Sequence, residues 1–133
     1  VHIEVLPDPR PLLGQIRGRG KKVGLVVNPE TPMESIEPYL KEIDLALCMT
    51  VHPGFGGQEF LPESPGRIRQ LRAMIDRNNP ACELEVDGGI DLQTVPRAVE
   101  AGARVLVIGT AIFGYPPGPG PAVLEFRNRF DTN

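Results

Sequence analysis

The sequence predicts an α/β fold with a parallel sheet. Five short apolar runs are separated by segments carrying helix signals, and most of those runs are too continuously apolar for a sheet with one wet face, so they are expected to be buried on both sides. With 133 residues, 41% of them hydrophobic and 23% charged, the chain has material for one core, a single domain over 1–133.

The elements follow in order. "VHIEV" (1–5) is the first predicted strand. After it Asp8 can cap a helix that carries Leu12, Leu13 and Ile16 and stops at Gly18 and Gly20. "KVGLVV" (22–27) is the second strand, and "TPME" (31–34) fits a capping box with Thr31 as N-cap, Pro32 at the first helical position and Glu34 reaching back. "DLALCMTV" (44–51) is the third strand. The helix over 63–78 puts Ile68, Leu71 and Ile75 on one face and Arg67, Arg69, Arg72 and Arg77 on a solvated one. "CELEV" (82–86) is the fourth strand; Asp91 then caps a helix with Val95, Ala98 and Val99 inward and Gly102 as its stop. "RVLVIG" (104–109) is the fifth strand, and beyond the connector "YPPGPGP" (115–121) a last helix near Pro121 is expected to bury Val123, Leu124 and Phe126. Strict βα alternation of this kind suits a doubly wound sheet or a (β/α) barrel, which periodicity alone does not separate.

The net charge of −3 provides no basic stripe for a nucleic-acid backbone or an anionic membrane. The most apolar stretch, "VLVIGTAIFGY" (105–115), is about half of what a bilayer span needs, so neither partner is expected and a cytoplasmic location is. Cys48 and Cys82 lie inside strand-like runs and are expected to be buried, reduced thiols. The opening "VHIEV" has no initiator Met and no polar lead-in, and looks cut from something longer.

In parallel α/β folds the working residues gather just past the C-terminal ends of the strands. Three of those positions here are glycine-rich: "HPGFGG" (52–57), "DGG" (87–89) and "GT" (109–110). Glycine removes the Cβ that would keep a ligand away and lets successive N–H groups point into one concavity, which suits an anion such as a phosphate monoester. Asp87 adds a carboxylate at the mouth, able to bind a metal, transfer a proton or cap the following turn. Met49, His52 and Phe55 are further candidates around the third strand. His2 and Glu4, two apart on the first strand, form a possible lining pair.

"GLVVNPETP", "MTVHPGFGGQEF", "LEVDGGI" and "AGARVLVIGTAIFG" together resemble the ribulose-phosphate 3-epimerase family, over residues 1 to about 114. The resemblance implies a (β/α)8 TIM barrel, of which this chain would be the C-terminal part, about five βα units corresponding to strands four to eight. It implies an isomerase of carbohydrate metabolism, in the pentose phosphate pathway and Calvin cycle, that moves the C3 proton of a ketopentose 5-phosphate to interconvert D-ribulose 5-phosphate and D-xylulose 5-phosphate. Two aspartates on opposite faces of the sugar would exchange protons around a cis-enediolate held by a divalent metal, zinc first, with iron, manganese or cobalt as other candidates. Residue by residue, Asp87 matches one catalytic aspartate that is also a metal ligand. Gly54, Phe55, Gly56 and Gly57 match the loop over the substrate, and Gly88, Gly89, Gly109 and Thr110 match the phosphate cradle. Met49 matches a methionine capping the enediolate. Thr110 stands where many members carry serine, which keeps the hydroxyl. The full-length form is expected to be a homo-oligomer.

The family's other metal ligands, two histidines and a second aspartate, have no counterpart here, nor does an early serine. Three βα units, roughly 90 residues for such a barrel, are expected upstream, so the chain by itself is expected not to epimerise. Two alternatives stand beside this reading: a related hexulose-6-phosphate 3-epimerase, which shares the same loops, and a non-catalytic half-barrel, a phosphate-binding or interaction module whose two exposed strand edges would need a partner or self-assembly.

Overall fold

The computed structural model describes residues 1–130; the last three positions of the predicted domain, 131–133, lie outside the described residues. A four-stranded parallel sheet is formed by β1 (Gly24–Val27), β2 (Leu45–Met49), β3 (Glu83–Asp87) and β4 (Val105–Val107), in the order β1-β2-β3-β4. Helices α1 (Arg10–Gly18), α2 (Ser64–Asn78), α3 (Val95–Glu100), α4 (Thr110–Phe113) and α5 (Pro119–Phe130) alternate with the strands or follow them. The parallel α/β class is as the apolar runs predict, with neighbouring strands adjacent in sequence as in a section of barrel wall. Among the described residues no helix is long and apolar enough to cross a membrane.

The first predicted strand is only begun. The Val26 N–H donates to the Val1 carbonyl at 2.9 Å and His2 bridges Val26 in parallel, but Ile3–Val5 turns into a 3-10 helix. Glu4 accepts a hydrogen bond from the distant Asn28 N–H at 2.8 Å, and Pro7 and Pro9 follow, so the chain leaves the sheet edge after two residues. Four strands and a bridge therefore replace the five expected. At the next helix, the Arg10 N–H donates to Asp8 Oδ1 at 3.1 Å, although the N-cap position itself is Pro9.

The expected capping box at 31–34 does not form. Pro32 is the N-cap, no side chain caps it, and Met33–Glu42 is a 3-10 helix that accommodates Pro38. A proline at that position lacks the N–H of an α-helical ladder and collides with the carbonyl four residues back, which favours the tighter winding. Met33, Ile36 and Leu40 still reach the core. Helix α2 matches its prediction, with Ile68, Leu71 and Ile75 fully buried. Arg67 and Arg72 depart from its solvated face: Arg72 is partly buried, and Arg67 Nη2 donates to the carbonyls of Asn28 at 2.9 Å and Thr31 at 3.0 Å, tying α2 to the loop after β1. Asp91 Oδ1 accepts the N–H groups of Gln93 and Thr94, both at 2.8 Å, and shapes the turn that leads into α3. Helix α5 buries Ala122 and Phe126, four residues apart on one face, and that phase leaves Leu124 62% and Val123 38% exposed, contrary to expectation. The short α4 was not anticipated from the apolar "AIFG".

The sheet is not buried on both sides. Leu25, Val27, Ala46, Cys48, Leu84 and Val86 point toward the helices and are fully buried. The alternate positions, Val26, Leu47, Glu85 and Val105, are only partly covered, so the strands alternate despite their apolar content. Two rows of that second face are set by register: Val26, Leu47, Glu85 and Val105 in one, and Met49, Asp87 and Val107 in the next, at the C-terminal ends of β2, β3 and β4.

Candidate functional site

Asp87 ends β3 and stands between Met49 and Val107 in register, so its carboxylate rises from the open face beside the thioether. Its backbone is fixed by the Thr50 N–H, which donates to the Asp87 carbonyl at 2.9 Å. The chain then turns through Gly88 (φ +120) and Gly89 (φ +64). A Cβ on Gly88 would lie 2.3 Å from Val51 Cγ2, and one on Gly89 would lie 2.3 Å from the Phe60 amide nitrogen. Both glycines are thus demanded by the fold itself, whatever they bind. Threonine hydroxyls complete the clamp: Thr50 Oγ1 donates to the Gly88 carbonyl at 2.5 Å, and Thr94 Oγ1 to the Gly89 carbonyl at 2.8 Å. Gly109 differs, since its φ is −99° and a Cβ there would meet nothing within 4 Å. Among the described residues nothing packs against that position, so the space beside it is open.

One cleft of about 780 Å3 collects most of the predicted positions: Met49, Gly54, Phe55, Gly56, Gly57, Asp87, Gly88, Gly89, Gly109 and Thr110 all line it. Its size suits a small polar ligand. Phe55 is 76% exposed at the rim, where it can cover a ligand. The loop that carries it is closed by the Gln58 amide, which donates to the carbonyls of His52 at 2.6 Å and Phe55 at 3.0 Å. His52 itself is not among the lining residues; its ring pairs with Glu30 on the exposed surface. That pairing contributes to holding Glu30 below the usual carboxylate range, after the bond from its own backbone.

The sequence reading passed over Glu85. It lies two residues below Asp87 on the same face, and burial, followed by the nearby Asp87 charge, raises its pKa. Alternation along "ELEVD" is the signal in the sequence that places Glu85 on the face of Asp87. Thr50 and Thr94 were also missed; each is one hydroxyl in a turn, and only the fold brings them to Gly88 and Gly89.

A metal ion would find one carboxylate in Asp87. Among the described residues no group of three or more His, Cys, Asp or Glu side chains comes together to hold one, so the residues here do not fit a complete metal centre.

Residues 1–113 match the model of the ribulose-phosphate 3 epimerase family. Among curated relatives, a ribulose-phosphate 3-epimerase of Methanocaldococcus jannaschii is 44% identical over 113 residues, 85% of this chain and 48% of that protein. One of Synechocystis sp. is 45% identical over 130 residues, 96% of this chain and 56% of its own. One of Bacillus subtilis is 41% identical over 115 residues, 86% of this chain and 53% of its own. The chain thus spans about half the length of the curated relatives it matches. A family match across 1–113 that takes in β1 to β4, Asp87 and all three glycine loops leaves one assignment: the chain belongs to the ribulose-phosphate 3-epimerase family, whose named members are carbohydrate epimerases.

Proposed function

We propose that the protein carrying this chain epimerises C3 of a ketopentose 5-phosphate, interconverting D-ribulose 5-phosphate and D-xylulose 5-phosphate, and that Asp87 is one of its two proton-transfer groups. The observation that carries the proposal is the convergence of Asp87, Met49 and three glycine loops on one cleft. A proton α to a ketone is a weak acid, so its removal needs a carboxylate within hydrogen-bond reach and donors where oxyanion charge develops. Asp87 supplies the carboxylate. The backbone around Gly88, Gly89, Gly109 and Thr110 supplies the binding surface for the phosphate, with the Thr110 hydroxyl available as a further donor. Met49, buried and next to Asp87 in register, gives the reacting carbons a polarisable wall that neither donates nor takes a proton. Inversion requires a second acid on the far face of the sugar, assigned to the part of the protein beyond this chain. A divalent metal, zinc or else iron, manganese or cobalt, belongs to the proposal only as a group to which Asp87 would contribute one ligand.

Two measurements on the complete protein test it. Asp87→Asn is expected to lower exchange of the C3 proton with solvent by at least about a hundredfold, the usual weight of a positioned general base; near-normal exchange would refute the role of Asp87. Unphosphorylated ketopentose is expected to be a far poorer substrate than its 5-phosphate, and equal turnover of the two would reject the phosphate cradle.

A further inference from the structure

We propose that His2 is a substrate-binding residue of this cleft, its imidazole exchanging a hydrogen bond with a hydroxyl at the end of the sugar remote from the phosphate; the assignment rests on the epimerase reading above.

His2 reaches the cleft by its place in the sheet. It bridges Val26, and register continues from Val26 through Leu47 and Glu85 to Val105. Side chains in register share a face, so His2 joins the layer two residues below the row of Met49, Asp87 and Val107, about 6–7 Å deeper at strand spacing. It lines the same cleft as Asp87 and the glycine loops. A phosphate held by loops beyond the strand ends leaves the sugar chain running inward past Asp87, and its far hydroxyls then reach the layer of His2.

The chemistry of the lining makes the residue distinctive. Among the described side chains of the cleft none is Lys or Arg, and His2 is the one able to carry a positive charge. The Gln58 amide already donates to two backbone carbonyls, and the Thr110 hydroxyl stands at the strand ends with the glycine loops rather than in this deeper layer. An anionic polyol gains most from a nitrogen that can donate as well as accept.

The ring also faces a carboxylate. His2 Nδ1 lies 3.6 Å from Glu4 Oε2, an ion-pair distance, while Glu4 Oε1 takes the Asn28 N–H at 2.8 Å. Burial pushes the Glu4 carboxyl upward, but the bond from Asn28, with help from the Thr31 side chain, holds it below its usual range. A carboxylate facing Nδ1 leaves Nε2 for the ligand, and a hydroxyl pairs with that nitrogen whether it is protonated or not.

The test is steady-state kinetics with D-ribulose 5-phosphate, and competitive inhibition by inorganic phosphate, on the complete protein and on His2→Ala, His2→Gln and Glu4→Gln. His2→Ala is expected to raise KM at least tenfold while phosphate inhibition stays within twofold of the parent. His2→Gln recovers part of the loss, and Glu4→Gln falls between. Unchanged KM and kcat in His2→Ala overturn the proposal. So does a parallel loss of phosphate inhibition with a lowered thermal midpoint, which marks a merely structural role. A parent that binds phosphate but does not turn over D-ribulose 5-phosphate overturns the epimerase reading first, and this assignment with it.

Discussion

Gly89 and Gly109 look alike in sequence, each at the end of a strand, yet the structure separates their roles. At Gly89 the backbone is left-handed and Phe60 closes the space, itself stacked beneath the Arg97 guanidinium at 5.2 Å. Gly89→Ala therefore combines backbone strain with overpacking and is expected to destabilise by about 2–4 kcal/mol, read from denaturant unfolding. Gly109→Ala should leave stability within about 0.5 kcal/mol, because its Cβ meets nothing within 4 Å, and on the phosphate cradle proposed above it should weaken phosphate inhibition. The two thiols give a pH-dependent counterpart. Burial pushes Cys48 and Cys82 up from an ordinary value of 9.0 to about 11. Since the folded values are raised, the thiols' contribution to stability is fully present below pH 9 and lost as pH climbs toward 11. Unfolding free energy should fall across that window, and Cys48→Ala, Cys82→Ala double substitution should flatten the fall. At neutral pH neither thiol should react with a disulfide reagent until the chain unfolds.

At the level of elements, the sequence disclosed what depends on local periodicity and concealed what depends on neighbours. Helix α2 was legible end to end because Ile68, Leu71 and Ile75 repeat at helical spacing, and β2 and β3 because their apolar runs are bounded by turn residues. "VHIEV" misled because its strand pattern is overruled by a hydrogen bond from Asn28, some two dozen residues away. "TPME" misled because the side chains its capping box needs are engaged elsewhere: Thr31 hydrogen-bonds Glu4, and Glu34 accepts from the Gln70 amide. The candidate site was more legible than the fold around it: glycines at strand ends announce themselves, whereas Glu85, Thr50 and Thr94 matter only through contacts made in three dimensions. Arg67 shows the same limit. In sequence it was one of four helix arginines; in the structure it holds two carbonyls of the segment after β1. Arg67→Met keeps most of the stem but abandons those acceptors, and is expected to cost about 1–3 kcal/mol by thermal or denaturant unfolding. Arg69→Met, on the exposed face, should cost less than about 0.5 kcal/mol.

For the molecule as a whole, the decisive feature is that β1 to β4 make a single wall. Among the described residues, the carboxylates that line the cleft come from that wall or its loops: Asp87 from β3, Glu59 from the segment after β2, and Asp91 from the turn after β3, where one of its oxygens already accepts two backbone N–H groups. Proton transfer to and from C3 by groups on one side returns the proton to the face it left. Inversion needs an acid on the other side, and a sheet that meets its ligand from one side does not provide one. The 133-residue chain on its own is therefore expected to form no D-xylulose 5-phosphate from D-ribulose 5-phosphate, nor the reverse. Any deuterium it introduces at C3 in heavy water should be confined to the epimer whose C3 hydrogen faces Asp87, the other epimer staying unlabelled by proton NMR. Labelling of both epimers, or their interconversion, would mean that a second acid already stands on this wall, with Glu59 the first residue to replace.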